Sequence, residues 1–151
     1  MTPGLLHDLR SRRTAIRMQW ETLLRTEPVR GPLSNPDTLV FLIPESLDQI
    51  FSTLAKGPPT PPAKLPTQSQ PLACDCGNNP YLAYFIAGEQ ALVEALVLLQ
   101  AELLPDGSEK RDVSEIMLTV RQLARSEIDT FCSICVHRGT APHCRHAVAA
   151  G

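Results

Sequence analysis

The chain has 151 residues, five cysteines, a formal net charge of −2 and 5% aromatic side chains. That length suits one domain that buries a core without disulfides, and abundant Leu and Ala lean toward helices over strands. Charges of both signs run along the whole chain, which argues against a polyanion binder and against an acidic tail.

The first helix is predicted from about Pro3 to Thr26, with Leu6, Leu9, Ile16, Trp20 and Leu23 on one stripe. Arg13 falls in that stripe, so it must snorkel, pair, or mark the edge of the buried face. The helix is locally basic at Arg10, Arg12, Arg13 and Arg17. Counter-charges lie nearby and no nucleic-acid reading motif accompanies them, so the arginines read as a solvated face. Glu27-Pro28 ends the helix, because a residue before proline is pushed out of the α region.

The second helix opens at Asn35-Pro36-Asp37. Asparagine caps the free amides, proline presets the first turn, and aspartate faces the positive helix end. Val40, Ile43, Leu47, Ile50 and Leu54 keep a helical repeat, and Pro44 inside it predicts a kink or a split. Residues 57–73 hold Pro58, Pro59, Pro61, Pro62, Pro66 and Pro71 and read as a semi-rigid linker. A proline-rich ligand for a partner is the other use of such a segment.

The third helix starts at Asn79-Pro80 with the same device and runs to Leu104; Pro105-Asp106-Gly107 makes the turn. Its apolar run is long enough for a membrane, but Glu89, Gln90, Glu94, Gln100 and Glu102 interrupt it and favour burial in a protein core. The fourth helix runs from about Asp112 to Val136, with Val113, Ile116, Val120, Leu123, Ile128, Phe131 and Ile134 as apolar positions, and Gly139 ends it. The expected fold is all-α: a four-helix bundle of two helical hairpins, residues 1–56 and 74–151, joined by the linker. About fifteen linker residues at about 3.1 Å each reach roughly 45 Å, enough to cross from one hairpin to the other.

Met1 to Leu9 has neither a basic start nor an unbroken apolar stretch, which predicts no export signal and a cytoplasmic location. In a reducing compartment, metal binding or redox sensing is the default use of cysteines. A short connection makes helices three and four antiparallel, and folding about Gly107 sets residue i opposite roughly residue 215−i. Cys132-Ser-Ile-Cys135 and Cys74-Asp75-Cys76 then converge at one end of the hairpin. Cys132 and Cys135 share a helix face, Gly77 leaves the other pair's loop flexible, and four sulfurs satisfy a tetrahedral ion at about 2.3 Å each. The N-terminus of helix three favours thiolate there.

Cys74, Cys76, Cys132 and Cys135 are therefore the expected metal ligands. Zinc is the expected ion, with an iron–sulfur cluster as the alternative on the same sulfurs. Cys144, His137, His143 and His146 form a competing set in the tail. Covalent haem is disfavoured, since Val136 separates Cys135 from His137. Buried inert cysteines and a metal-free thiol switch are the other readings.

In the third-helix stripe Leu82, Phe85, Glu89, Leu92, Leu96, Leu99 and Leu103, the carboxylate of Glu89 needs a partner. The fold-back rule puts Arg125, or else Arg121, within reach, as an ion pair or as part of a ligand or proton site. No Gly-x-Ser-x-Gly, His-Glu-x-x-His, phosphate loop or paired Glu-x-x-His is present, which argues against an enzyme.

Trp20, Leu23-Leu24, Glu27-Pro28, Pro32-Leu33, Asn35 to Val40 and Leu47 to Phe51 resemble the N-terminal helical domain of RsbR-type stressosome co-antagonists and of some bacterial sensor kinases. The resemblance covers Leu6 to Leu54. It implies a four-helix sensory bundle that passes a signal to an attached domain, in a bacterial regulatory context. After Leu54 the chain departs from the family, carrying cysteine pairs in place of a phospho-acceptor or kinase domain. The expected function is a small cytoplasmic metal-binding protein, regulatory or sensory, acting on another protein. Neither nucleic acid nor membrane is expected as a partner, and a homodimer is compatible.

Overall fold

Asparagine and proline set two of the helix starts. Asn35 Oδ1 accepts the Asp37 N–H at 3.0 Å, and Asn79 Oδ1 accepts the Tyr81 N–H at 3.0 Å, with proline in the first turn after each cap. The computed structural model describes residues 1–27, 34–57, 79–103 and 110–134. These form α1 (Pro3–Ser11), α2 (Arg13–Thr26), α3 (Pro36–Leu39), a 3₁₀ turn (Val40–Leu42), α4 (Ile43–Ala55), α5 (Pro80–Leu103) and α6 (Lys110–Ile134). No strand occurs among the described residues, so the chain is all-α. The linker prolines from Pro58 onward and the Pro105-Asp106-Gly107 turn lie outside them.

Pro44 splits the second helix. Having no N–H, it cannot donate to the Val40 carbonyl, and its ring crowds that oxygen. The backbone tightens into the 3₁₀ turn, and Ile43 N–H bonds to Val40 O as α4 begins. Three expectations change along the chain. The first helix is not continuous: it pauses at Arg12, whose N–H turns back to the carbonyls of Leu9 and Arg10. Past the pause the buried positions are Ile16, Trp20 and Leu24, so Leu24 replaces Leu23 in the stripe. The fourth helix begins at Lys110, two residues earlier than its apolar pattern suggested.

The pause lets adjacent arginines serve different neighbours. Arg12 pairs with Glu102 on α5. Arg13 grips Asp48 on α4 and donates to the Pro44 carbonyl at 2.8 Å, so it resolves its place in the stripe by pairing. These contacts, with Trp20 on α5 and Arg10 on the Phe51 carbonyl, make α2 antiparallel to both α4 and α5. Helices α4 and α5 therefore run in the same direction.

The core is centred on Trp20, which is fully buried. Its indole N–H donates to the Tyr84 carbonyl at 2.8 Å, and its ring lies 4.9 Å from the Tyr84 ring. The Tyr84 hydroxyl in turn meets the Ser46 hydroxyl at 2.9 Å, which brings α4 into the same contact. Burial pushes the Tyr84 phenol well above its usual range. Ile116, Val120, Ala124 and Ile128, four residues apart on α6, close the core from the other side.

By length and composition α5 could cross a membrane. Here it buries Tyr84, Phe85, Leu92, Leu96 and Leu99 against α2 and α6 and leaves Ile86, Val97 and Leu98 exposed. Leu103 and Ile134, read as stripe positions, are exposed at the helix ends.

Gly88 explains how Trp20 reaches α5. A Cβ at Gly88 would sit 2.3 Å from Trp20 Cζ2, a separation no packed structure tolerates. Gly88→Ala is expected to cost about 1–3 kcal/mol, because the indole must shift in a filled core. Gly4 has open space around its Cβ position. Gly4→Ala in the first turn of α1 should be neutral or slightly stabilising. Urea melts of both variants check the contrast, and equal melts would contradict it.

Candidate metal centre

The cysteine-bearing end of the molecule is where α5 begins and α6 finishes. Among the predicted ligands only Cys132 belongs to the described residues; Cys74, Cys76, Cys135, Cys144, His137, His143 and His146 lie outside them. Cys132 sits near the end of α6 and is 8% exposed, facing inward with Ile128 one turn before it. Among the described residues no three His, Cys, Asp or Glu side chains gather as a metal site.

Asn79 meets Cys132 from the start of α5. It is 4% exposed, and its Nδ2 donates to the Ile128 carbonyl at 3.3 Å and lies 3.5 Å from Cys132 Sγ. The residue that caps α5 is thus also the residue that touches the cysteine of α6. Because the cap places Asn79 at the positive end of the α5 dipole, the sulfur sits close to that end as well. Beside it, Tyr81 packs edge-on against Phe131 with centroids 6.0 Å apart and lies 6.1 Å from Phe85. Burial, then the Glu127 charge, raises the Tyr81 phenol. The sulfur therefore has a buried carboxamide in contact with it.

The antiparallel pairing of α5 and α6 agrees with the fold-back expectation, but its register is tighter by about one helical turn. Asn79 stands opposite Cys132, and Gln100 donates to Asp112 at 3.1 Å. The same offset decides the partner of Glu89. It is Arg121 rather than Arg125, through a fork of two bonds of 2.7 Å from Nε and Nη2. The Glu89 carboxylate holds the Arg121 guanidinium above its ordinary range. Both side chains keep some exposure, 18% for Glu89 and 24% for Arg121, so the pair is half-buried.

At the opposite end of α5 the structure assembles polar groups that sequence reading passed over. Gln100, counted as an interruption of an apolar run, is fully buried. Asp112 accepts from Gln100, and with Glu115 it faces the Met1 amine, 3.3 Å from Asp112. Gln100 Oε1 and Thr119 Oγ1 have no partner among the described residues. The available signal was the spacing Asp112-x-x-Glu115, which puts two carboxylates on one face. Asn79 was found as a cap; its second role at Cys132 depends on register and could not be read from spacing.

Comparison of the chain with family models, curated proteins and solved structures finds no match.

The Glu89–Arg121 fork is more exposed than a fully buried pair and better ordered than a surface one. Glu89→Ala should therefore cost about 1–3 kcal/mol, between the values for those two classes. Glu89→Gln, which can still accept from Arg121, should cost less. Urea denaturation measures both, and metal content should be unaltered in each. Loss of metal from either variant would bring Glu89 into the centre.

Proposed function

We propose that the chain is a small cytoplasmic metal-binding protein with a regulatory or sensory role, its metal held by Cys74, Cys76, Cys132 and Cys135. One observation carries the reading: Asn79 touches Cys132. Asn79 follows Cys76 by three residues, and Cys132 precedes Cys135 by three. An extended chain covers at most about 3.6 Å per residue. Cys76 is then within about 11 Å of Asn79, and Cys74 within about 18 Å. Both cysteine pairs are tethered to one point of contact, and four thiolates are what a closed tetrahedral zinc site needs.

In this reading the helices form a four-helix bundle of two hairpins, residues 1–56 and 74–151, with 57–73 as the connecting linker. The resemblance of Leu6 to Leu54 to RsbR-type sensory domains supports an output through another protein. Trp20, Leu24, Leu47, Ile50 and Phe51 from that resemblance are core residues here. Neither nucleic acid nor membrane is assigned as a partner, and self-association is compatible with the reading.

Zinc would act as a clip that joins the two cysteine segments. An iron–sulfur cluster on the same ligands would make the protein a redox sensor or electron carrier. A thiol switch would need no metal. Protein purified without oxygen separates the three: zinc gives colourless protein with metal, a cluster gives brown protein, and a switch gives neither.

Metal held across two segments must stabilise the fold that brings them together. Replacing Cys74, Cys76, Cys132 or Cys135 singly by Ser is expected to take bound metal from one equivalent to less than roughly half and to lower Tm. Cys144→Ser should do little. Metal analysis and thermal melts test this. Loss of metal in Cys144→Ser together with retention in Cys74→Ser would establish the tail-centred set instead.

A further inference from the structure

The basic run of the first helix, read from sequence as a solvated face, is divided by the structure. Arg12 pairs with Glu102 and Arg13 with Asp48. Arg10 instead reaches α4: its Nη2 donates to the Phe51 carbonyl at 2.8 Å, and its Cζ lies 5.9 Å from the centre of the Phe51 ring. We propose that the cavity these residues form between α1, α2 and α4 binds a phosphate monoester, its dianionic head on Arg10 and Lys56 and its apolar body against Phe51 and Ala55.

The contacts of Arg10 fix its guanidinium without neutralising it. The carbonyl takes one of five N–H donors, and neither the carbonyl nor the ring carries a formal charge. Arg10 has no carboxylate partner among the described residues, and neither has Lys56. Both line an open cavity of about 520 Å³ together with Arg13, Asp48, Phe51, Ser52 and Ala55. Cavities that take small ligands run from about 300 to 1,000 Å³. Asp48, the carboxylate of this lining, is occupied by Arg13. Arg10, Arg13 and Lys56 set against Asp48 leave two positive charges unanswered at the cavity. A phosphate monoester carries about −1.5 to −2 at pH 7, which matches them. Its oxygens suit the planar fork of an arginine beside the point charge of a lysine.

The end of α4 is shaped to hold Lys56 at this place. Gly57 takes the left-handed backbone at φ 88°, so Lys56 N–H returns to Thr53 O at 3.1 Å and Gly57 N–H to Leu54 O at 3.2 Å. Ser52, one turn before Lys56 on the same face, brings a hydroxyl donor. Cations here also answer the negative end of α4. That role needs neither a cavity nor a ligand, so binding measurements separate the two.

The full chain is titrated with phenyl phosphate and, separately, with inorganic phosphate, at constant ionic strength. Calorimetry gives the affinity and backbone amide shifts give the place. Lys56→Gln changes an exposed side chain, and it decides the matter if Arg10→Gln, which loses its hold on Phe51, does not fold. Arg17→Gln is the control, since Arg17 is an exposed arginine of the same basic run that does not line the cavity.

Expected is saturable binding of phenyl phosphate, with shifts centred on Ser52 to Gly57. Inorganic phosphate should saturate the same amides about tenfold more weakly, because it leaves the apolar surface unused. Arg10→Gln and Lys56→Gln should each weaken phenyl phosphate about tenfold or more, and Arg17→Gln should match wild type. Shifts that rise without saturating, equal affinity for the two compounds, or wild-type affinity in Lys56→Gln overturn the proposal and leave both cations to the helix dipole. None of these readouts depends on bound metal, so the outcome stands apart from the metal reading.

Discussion

Trp20 lies directly on the backbone of α5 at Gly88, and the placement of the other helices follows from that approach. An indole is the largest side chain a core can fill, and it brings a polar N–H that must find an acceptor once buried. Both needs are met by α5, through the bare backbone at Gly88 and the Tyr84 carbonyl one turn before it. Once α2 is seated at that distance, the Tyr84 ring is fixed, its hydroxyl meets Ser46, and α4 is located. Phe85, the next residue, is buried as well. A single close approach thus orders three helices.

The helix starts and the break at Pro44 were legible because they depend on local chemistry: a side-chain oxygen before a proline, and a proline without an N–H. The antiparallel pairing of α5 and α6 was legible from the short connection between them. Its register was not, since folding about Gly107 assumes that the chain turns symmetrically around that residue. A shift of one helical turn is enough to exchange Arg125 for Arg121 opposite Glu89. Gly88 inside a helical pattern was a visible anomaly, because glycine costs about 1 kcal/mol there relative to alanine. Linking it to Trp20, 68 positions away, requires the packed structure. The pause at Arg12 has no comparable local signal. Of the candidate ligands, Cys132 is the only one among the described residues.

Helix α5 contains no lysine and no arginine. Its carboxylates are answered from outside, Glu102 by Arg12, Glu89 by Arg121 and Glu94 by the Gln19 amide at 2.9 Å, while Gln90 on α5 itself adds a bond to Glu94. The exposed pairs among them add little stability one by one. Their effect is orientational: Glu94 and Glu102 are held from the α1–α2 side and Glu89 from α6, and together they oppose rotation of the helix about its own axis. That matters for the cysteine end. A turn of α5 would carry Asn79 away from α6, so the carboxylates along the helix help to keep its first residue aimed at Cys132.

The shared direction of α4 and α5 has a topological consequence. Two parallel helices cannot be joined by a tight turn. Ser46 stands level with Tyr84, α4 continues for nine residues beyond it, and α5 starts four residues before it. At about 1.5 Å per residue the ends to be joined are offset along the axis by roughly 20 Å. About six extended residues cover that axial distance, and a few more cover the sideways step. The chain supplies residues 58–78 for the purpose. Halving a loop changes its closure entropy by only about 0.6 kcal/mol. The proline-rich stretch before Cys74 can therefore vary in length while the helices stay where they are, which makes it the place where this architecture can accept insertions and deletions.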